Sequence, residues 1–264
     1  MNKAVDNLRL SIEEVALVLS IHGSPDAAKL MLLASFGELS PDEEKGRLLA
    51  AGHSLMARGF LNLNSGKSEL APPMSELVSA MNTYQIALRM ESKSTETDVT
   101  ITFFIHGNQI IQQSVEQGVV YRFDQVQEQS TIIQKGVRFF NLTKGVNGIN
   151  SEPLIPFRIL EQAREESLEV SAIAAKLKNE GVPERLCNLL AEDIKNLRTR
   201  GAVLRIDNKE NNLISDHGFL TLTGESRTWL FPISLLGEER MIRVVTGTPS
   251  RFGREIDQLL RMAD

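Results

Sequence analysis

Val99-Thr100-Ile101-Thr102-Phe103-Phe104-Ile105-His106-Gly107-Asn108-Gln109-Ile110-Ile111-Gln112-Gln113-Ser114-Val115 is the stretch on which the fold turns. Its first seven residues are all β-branched or aromatic, the composition of a paired strand. His106-Gly107-Asn108 interrupts the run, and a second strand follows over Ile110–Val115. Two such runs around a short glycine turn read as an antiparallel hairpin. Glu116-Gln117-Gly118 turns the chain again into Val119–Phe123, so the segment predicts an antiparallel meander. Upstream, Met74, Leu77, Val78, Met81, Tyr84, Ala87 and Leu88 recur at helical spacing and predict one long helix over Met74–Glu91. Residues 125–141 predict a helix that closes the meander.

The chain before this region predicts three helices and a hairpin. Ser11-Ile12-Glu13-Glu14 is a capping box, with Ile12, Val15, Ala16 and Leu19 on one face of the helix it opens. His22-Gly23-Ser24-Pro25 breaks that helix, and a second runs from Pro25 to Phe36. Ser40-Pro41-Asp42-Glu43 opens a third, which Gly59 ends. A strand from Phe60, a turn at Asn64-Ser65-Gly66-Lys67 and a return strand over Ser68–Ala71 complete the order of a winged helix.

Thr143–Pro156, poor in apolar residues, reads as a linker, after which the plan repeats. Helices are expected over Ser167–Asn179 and 184–200, with Gly201 ending the second. Strands follow at Ala202–Ile206, Phe219–Thr223, Thr228–Ile233 and Met241–Val245, with a turn at Asp207-Asn208-Lys209. Thr248-Pro249 caps a terminal helix striped by Phe252, Ile256, Leu259 and Leu260. At an offset of 142 residues, Leu48, Leu55, Arg58, Gly59 and Lys67 meet Leu190, Leu197, Arg200, Gly201 and Lys209. The expected fold is therefore α+β: two pseudo-repeated halves, 1–145 and 146–264, sharing a central antiparallel sheet flanked by helices in one integrated domain.

Composition narrows the function. The 264 residues carry 29 basic and 34 acidic side chains, a net charge of −5. Neither half is basic, so no face is offered to a polyanion. The segment MNKAVDNLRLSIEE lacks the apolar run of a signal peptide, and no stretch approaches the length of a membrane span. A cytoplasmic location with no membrane partner is expected. Cys187 is the single cysteine, and its leucine neighbours suggest a buried helical position. His22, His53, His106 and His217 are too dispersed for a metal site, and no cofactor is implied.

Asp216-His217-Gly218 could be read as a catalytic fragment, but no activated nucleophile motif accompanies it, and a turn is the better reading. Gly66-Lys67-Ser68 resembles the end of a phosphate loop, yet Leu61 stands where that loop requires glycine. The acidic clusters sit near helix starts, where they favour the macrodipole. The expectation is a non-enzyme. A winged-helix-derived regulatory or DNA-binding module is the alternative reading, opposed by Asp42, Glu43 and Glu44 at the start of the third helix.

Ile173-Ala174-Ala175-Lys176-Leu177, Gly181-Val182-Pro183, Leu197-Arg198-Thr199-Arg200-Gly201-Ala202, Gly218-Phe219-Leu220-Thr221, the Trp229 strand and Ile256-Asp257-Gln258-Leu259-Leu260 carry a resemblance to a known family. Their order is similar to that of the EspG family, the cytoplasmic specificity chaperones of type VII (ESX) secretion in actinobacteria. The resemblance implies a quasi-twofold α+β fold. It also implies a protein that binds a helical secreted effector and keeps it soluble for export, without catalysis. Carried onto this chain, the family's partner contacts fall at the hairpin tip, Ile105, His106, Asn108 and Gln109, and on Phe252, Ile256 and Leu260 of the terminal helix. The protein itself would be a monomer or weak homodimer. An apolar stripe, however, is more often core than interface, and the chain departs from the family in being less alanine- and arginine-rich, with a shorter hairpin at His106-Gly107-Asn108.

Overall fold

A computed structural model describes residues 7–64, 66–116, 118–142, 151–165, 168–209, 212–236 and 239–261. The class is α+β, with helices flanking a large antiparallel sheet. The chain forms two compact units, one of residues through Ala87 plus Ile101–Glu128 and one of Leu88–Thr100 plus the chain from Gln129.

In the first unit, β1 (Leu8–Ser11) leads into α1 (Ile12–Ile21), α2 (Pro25–Phe36) and α3 (Pro41–Ala57). A separate hairpin, β2 (Leu61–Asn64) and β3 (Lys67–Leu70), precedes α4 (Pro72–Thr83). Next in the chain is β4 (Ile86–Lys93), which from Leu88 on belongs to the second unit, then β5 (Asp98–His106), β6 (Gln109–Glu116) and β7 (Val120–Val126). The expected meander forms, with Ile105 opposite Ile110 and Gln113 opposite Phe123. The first strand pairs antiparallel with the last, Leu8 opposite Phe123 and Leu10 opposite Tyr121. Leu10, Val15, Leu55, Met74, Leu77, Ile111 and Phe123 join in the core beneath the helices.

Both capping boxes form as their spacing predicts. Glu14 does more than cap. It is buried, and it accepts from Ser11 N at 2.8 Å, Ser54 Oγ at 2.7 Å and Arg58 Nη1 at 2.9 Å. Arg58 in turn donates to the Arg9 carbonyl at 2.6 Å, so one carboxylate ties β1, the start of α1 and the end of α3. Gly59, at φ 72°, closes α3 by letting Phe60 N reach the Leu55 carbonyl at 2.8 Å.

The single helix expected over Met74–Glu91 is instead α4 followed by β4. Tyr84 leaves the helix at ψ 145°, and Gln85 N pairs with the Ile105 carbonyl at 2.9 Å. Short apolar runs such as Ile86-Ala87-Leu88 suit either structure, and long-range pairing decides.

The second unit contains α5 (Gln129–Phe139), β8 (Leu154–Pro156), α6 (Phe157–Glu165), α7 (Val170–Asn179) and α8 (Glu184–Lys195). Strands β9 (Thr199–Lys209), β10 (Asn212–Thr223), β11 (Thr228–Leu236), β12 (Glu239–Arg243) and β13 (Val245–Thr246) follow, then α9 (Pro249–Arg261). The ladder runs β9-β10-β11-β12-β8, with β13 also on β11. Of the expected linker, residues 143–150 lie outside the described residues, and Leu154–Pro156 is a strand, with Ile155 opposite Ile242. Because α5 belongs with this unit and packs on α9, the units do not divide at residue 145.

Apart from α5, β13 and α9, each unit lays its elements in a similar order: an edge strand, three helices, then a meander with a strand, β7 or β12, that pairs with that edge. The hairpin and α4 lie only between α3 and the first meander. This overturns the 142-residue offset, because Gly59 ends a helix whereas Gly201 lies inside β9, opposite Thr221. A Cβ on Gly201 would collide with the Glu91 carbonyl oxygen, which explains the glycine. The turns expected at 207–209 and 216–218 are strand as well, with a register shift in β10 between Ile214 and His217.

Two substitutions test these constraints by chemical denaturation. Gly201→Ala should destabilise the protein by about 2 kcal/mol or more through overpacking against backbone. Glu14→Ala should cost about 2–3 kcal/mol, from a lost cap and lost charged hydrogen bonds. Unchanged midpoints would remove both residues from the roles given them.

Candidate functional site

The hairpin joining β5 and β6 is the best-formed projecting feature that the sequence singled out. Gly107, at φ 55°, makes the two-residue turn, and His106 and Gln109 form its closing pair. His106 and Asn108 are exposed, whereas Ile105 and Gln109 are half-buried. The tip is held from below: the Thr83 carbonyl lies 2.5 Å from His106 Nδ1, and Gly107 N donates to Gln85 Oε1 at 3.3 Å. Tyr84 and Phe104 pack beneath it, with ring centroids 5.4 Å apart. The structure therefore brings Ile105, His106, Asn108 and Gln109 together on one supported turn.

The terminal-helix candidates do not join a surface. Phe252 and Ile256 have no solvent exposure. The Phe252 ring meets Phe219 edge-on at 5.7 Å and Phe140 at 5.8 Å, and Gly136 lies so close that a Cβ there would collide with it. Both residues are corrected to core, since a partner could reach them only by removing α9. Leu260 is half-buried and keeps an accessible edge.

In the winged-helix elements, the arginines of α3 and of its C-cap are both engaged. Arg58 is bound to Glu14, while Arg47 pairs with Glu13 at 3.0 Å and lies over the Phe36 ring. Asp42, Glu43 and Glu44 do occupy the first turn of α3, and Glu43, hydrogen-bonded to Ser40, has its carboxyl held below the ordinary value. Asp193 on α8 is buried and accepts from Arg227 Nε at 2.6 Å and Trp229 Nε1 at 2.8 Å. It anchors a tryptophan. Gly66 lies in the turn between two strands and Lys67 opens the second of them, so the segment does not precede a helix.

Other chemical candidates are structural too. Cys187 is buried, its thiol donates to the Val182 carbonyl at 3.1 Å, and burial pushes its pKa up. His22, His53 and His217 are exposed on separate elements. Among the described residues, no group of three or more His, Cys, Asp or Glu is placed to hold a metal ion. Among them, too, no helix is long and apolar enough to cross a membrane.

Two features escaped the sequence reading. Helix α2 buries only Ala28 and Leu32 and exposes Ala27, Leu30, Leu33 and Ala34. Glu152 sits in a cluster of arginines, 2.8 Å from both Arg243 and Arg254 and 3.6 Å from Arg251. Burial acts to raise its pKa, but the hydrogen bond from Arg254 and the charges of Arg254, Arg243 and Arg251 outweigh it and hold the carboxyl below the usual range. A carboxyl lowered by folding stabilises the protein above its unfolded pKa, and that contribution is lost as pH falls through the folded value.

No protein-family model and no curated protein matches the sequence. Among solved structures, the chain is similar to the structure of the Mycobacterium tuberculosis type VII secretion system chaperone EspG5 in complex with PE25-PPE41 dimer. The TM-score is 0.67 at 9% identity, covering 96% of this chain and 95% of that one. The resemblance to the EspG family is thus borne out as a resemblance of fold.

Three outcomes check these assignments. Phe252→Ala should cost about 3–5 kcal/mol of stability, as truncation of a core aromatic does. Cys187 should resist thiol reagents at neutral pH until the protein is unfolded. Glu152→Gln should lower stability near neutral pH and flatten its fall towards acid, read as denaturation midpoints at several pH values.

Proposed function

We propose that this protein is a non-enzymatic, cytoplasmic chaperone or adaptor. It binds a helical secreted effector and keeps it soluble for export by a type VII-like machine. The observation that carries the reading is a fold shared along nearly the whole chain with a chaperone whose structure was determined with a bound protein dimer. The hairpin tip supports it physically. Exposed His106 and Asn108 beside half-buried Ile105 and Gln109 offer polar contacts around an apolar edge, the composition of a small interface patch. Leu260 belongs to the same reading only through its exposed edge.

The parallel order of elements in the two units supports an internal duplication, with the β2–β3 hairpin and α4 added to the first copy. The winged-helix reading is opposed by Arg47 and Arg58, whose guanidinium groups are already paired with Glu13 and Glu14, and by the acidic first turn of α3.

The test is copurification of the tagged protein from its native host, with mass spectrometric identification of what accompanies it. A stoichiometric helical protein encoded beside export components is the expected result. Asn108→Arg should weaken its recovery at least about tenfold, as buried interface residues do, without changing the melting temperature. Recovery of nucleic acid, or of no protein at all, would sink the proposal.

A further inference from the structure

The second unit contains a half-open cavity of about 400 Å³ that neither the hairpin tip nor α9 lines. Its volume is in the range of small-molecule sites. Leu160, Leu197, Ala202, Leu220, Leu222 and Phe231 give it an apolar lining. Strand register explains part of this: Arg200 stands opposite Leu222 and Ala202 opposite Leu220, so these four share one sheet face.

The charges around the cavity are unequal. Along one wall, Arg89 pairs with Glu91 at 2.5 Å and Lys93 with Asp98 at 2.7 Å, so this wall is neutral. Arg164, from α6, and Arg200, from β9, also line the cavity and are exposed. Among the described residues, neither has a hydrogen bond or an ion pair. Among the described residues, the cavity thus has two positive charges without an ion-pair partner, in a chain whose net charge is −5. Guanidinium groups present planar forks suited to carboxylates. An apolar floor beneath such donors is matched by a ligand with a charged head and an apolar tail.

We propose that this cavity binds a small amphipathic carboxylate, its head between Arg164 and Arg200 and its chain on the accessible edges of Leu197, Ala202 and Leu220. The proposal is independent of the chaperone reading and requires no protein partner. No bond is made or broken.

Isothermal titration of the purified protein with sodium decanoate tests it. Decanamide removes the charge from the same chain, and acetate removes the chain from the same head. The expected result is saturable one-site binding of decanoate that weakens with added salt. Arg164→Gln and Arg200→Gln should each weaken it about tenfold or more, because each removes charged hydrogen bonds. Arg158→Gln, which alters an exposed arginine outside the cavity, should leave it unchanged. Absence of saturable binding would overturn the proposal. So would equal affinity for decanamide or acetate, or affinity indifferent to both cavity substitutions at unchanged melting temperature.

Discussion

A strand covered on both faces must be apolar at consecutive positions, and Trp229-Leu230-Phe231 in β11 is such a strand, with no exposure at any of the three. Trp229 and Phe231 face the core formed with α6, α7 and α8. Leu230 points to the other side of the sheet. A buried indole needs an acceptor, and Asp193 on α8 supplies one. A buried carboxylate in turn needs a cation, and Arg227 supplies it from one residue before the strand. Asp193 fills the space beside Gly224, where a Cβ would collide with it, so the β10–β11 turn is shaped by the same contact. Double coverage of one strand thus dictates a tryptophan, an aspartate, an arginine and a glycine spread over 36 positions of sequence.

What the sequence conveyed was chiefly local. The capping boxes at Ser11 and Ser40, the proline starts of α2 and α3 and the glycine turn at Gly107 are decided by residues within a few positions of one another, and they were legible. Strand β4, edge strand β8 and the inward role of Gly201 depend on partners far along the chain, and they were not. Helix α6 was missed as well, because Phe157–Glu165 follows directly on Pro156 with no side-chain cap to announce it. Buried charge was least visible. Nothing local distinguishes Glu14 or Asp193 from a solvated acid, because Arg58 and Arg227 are distant in sequence.

The candidate site divides along the same line. A hairpin tip declares itself by its turn, and its exposure follows from geometry. The stripe on α9 has one periodicity whether it meets a partner or a core, and only the rings of Phe140 and Phe219 settle Phe252 as core. Function is less local still. The chemistry that sequence motifs announce, metal clusters and activated nucleophiles, differs from that of a protein whose work is contact. In this chain no short motif announces such chemistry, and the likeness along the chain is one of fold.

The edge strands have a kinetic consequence. Leu8 finds Phe123, and Ile155 finds Ile242, only after the intervening helices and meander exist. The meanders themselves are built from neighbouring hairpins and close short loops. Pairing across long loops is intrinsically slow, because chain entropy is lost before the contact is gained. On a ribosome, then, β1 and β8 are made well before β7 and β12, the strands they pair with. Until they dock, the outer faces of β7 and β12 stand as open hydrogen-bonding templates, and a nascent chain is most vulnerable to pairing with a neighbour during that interval.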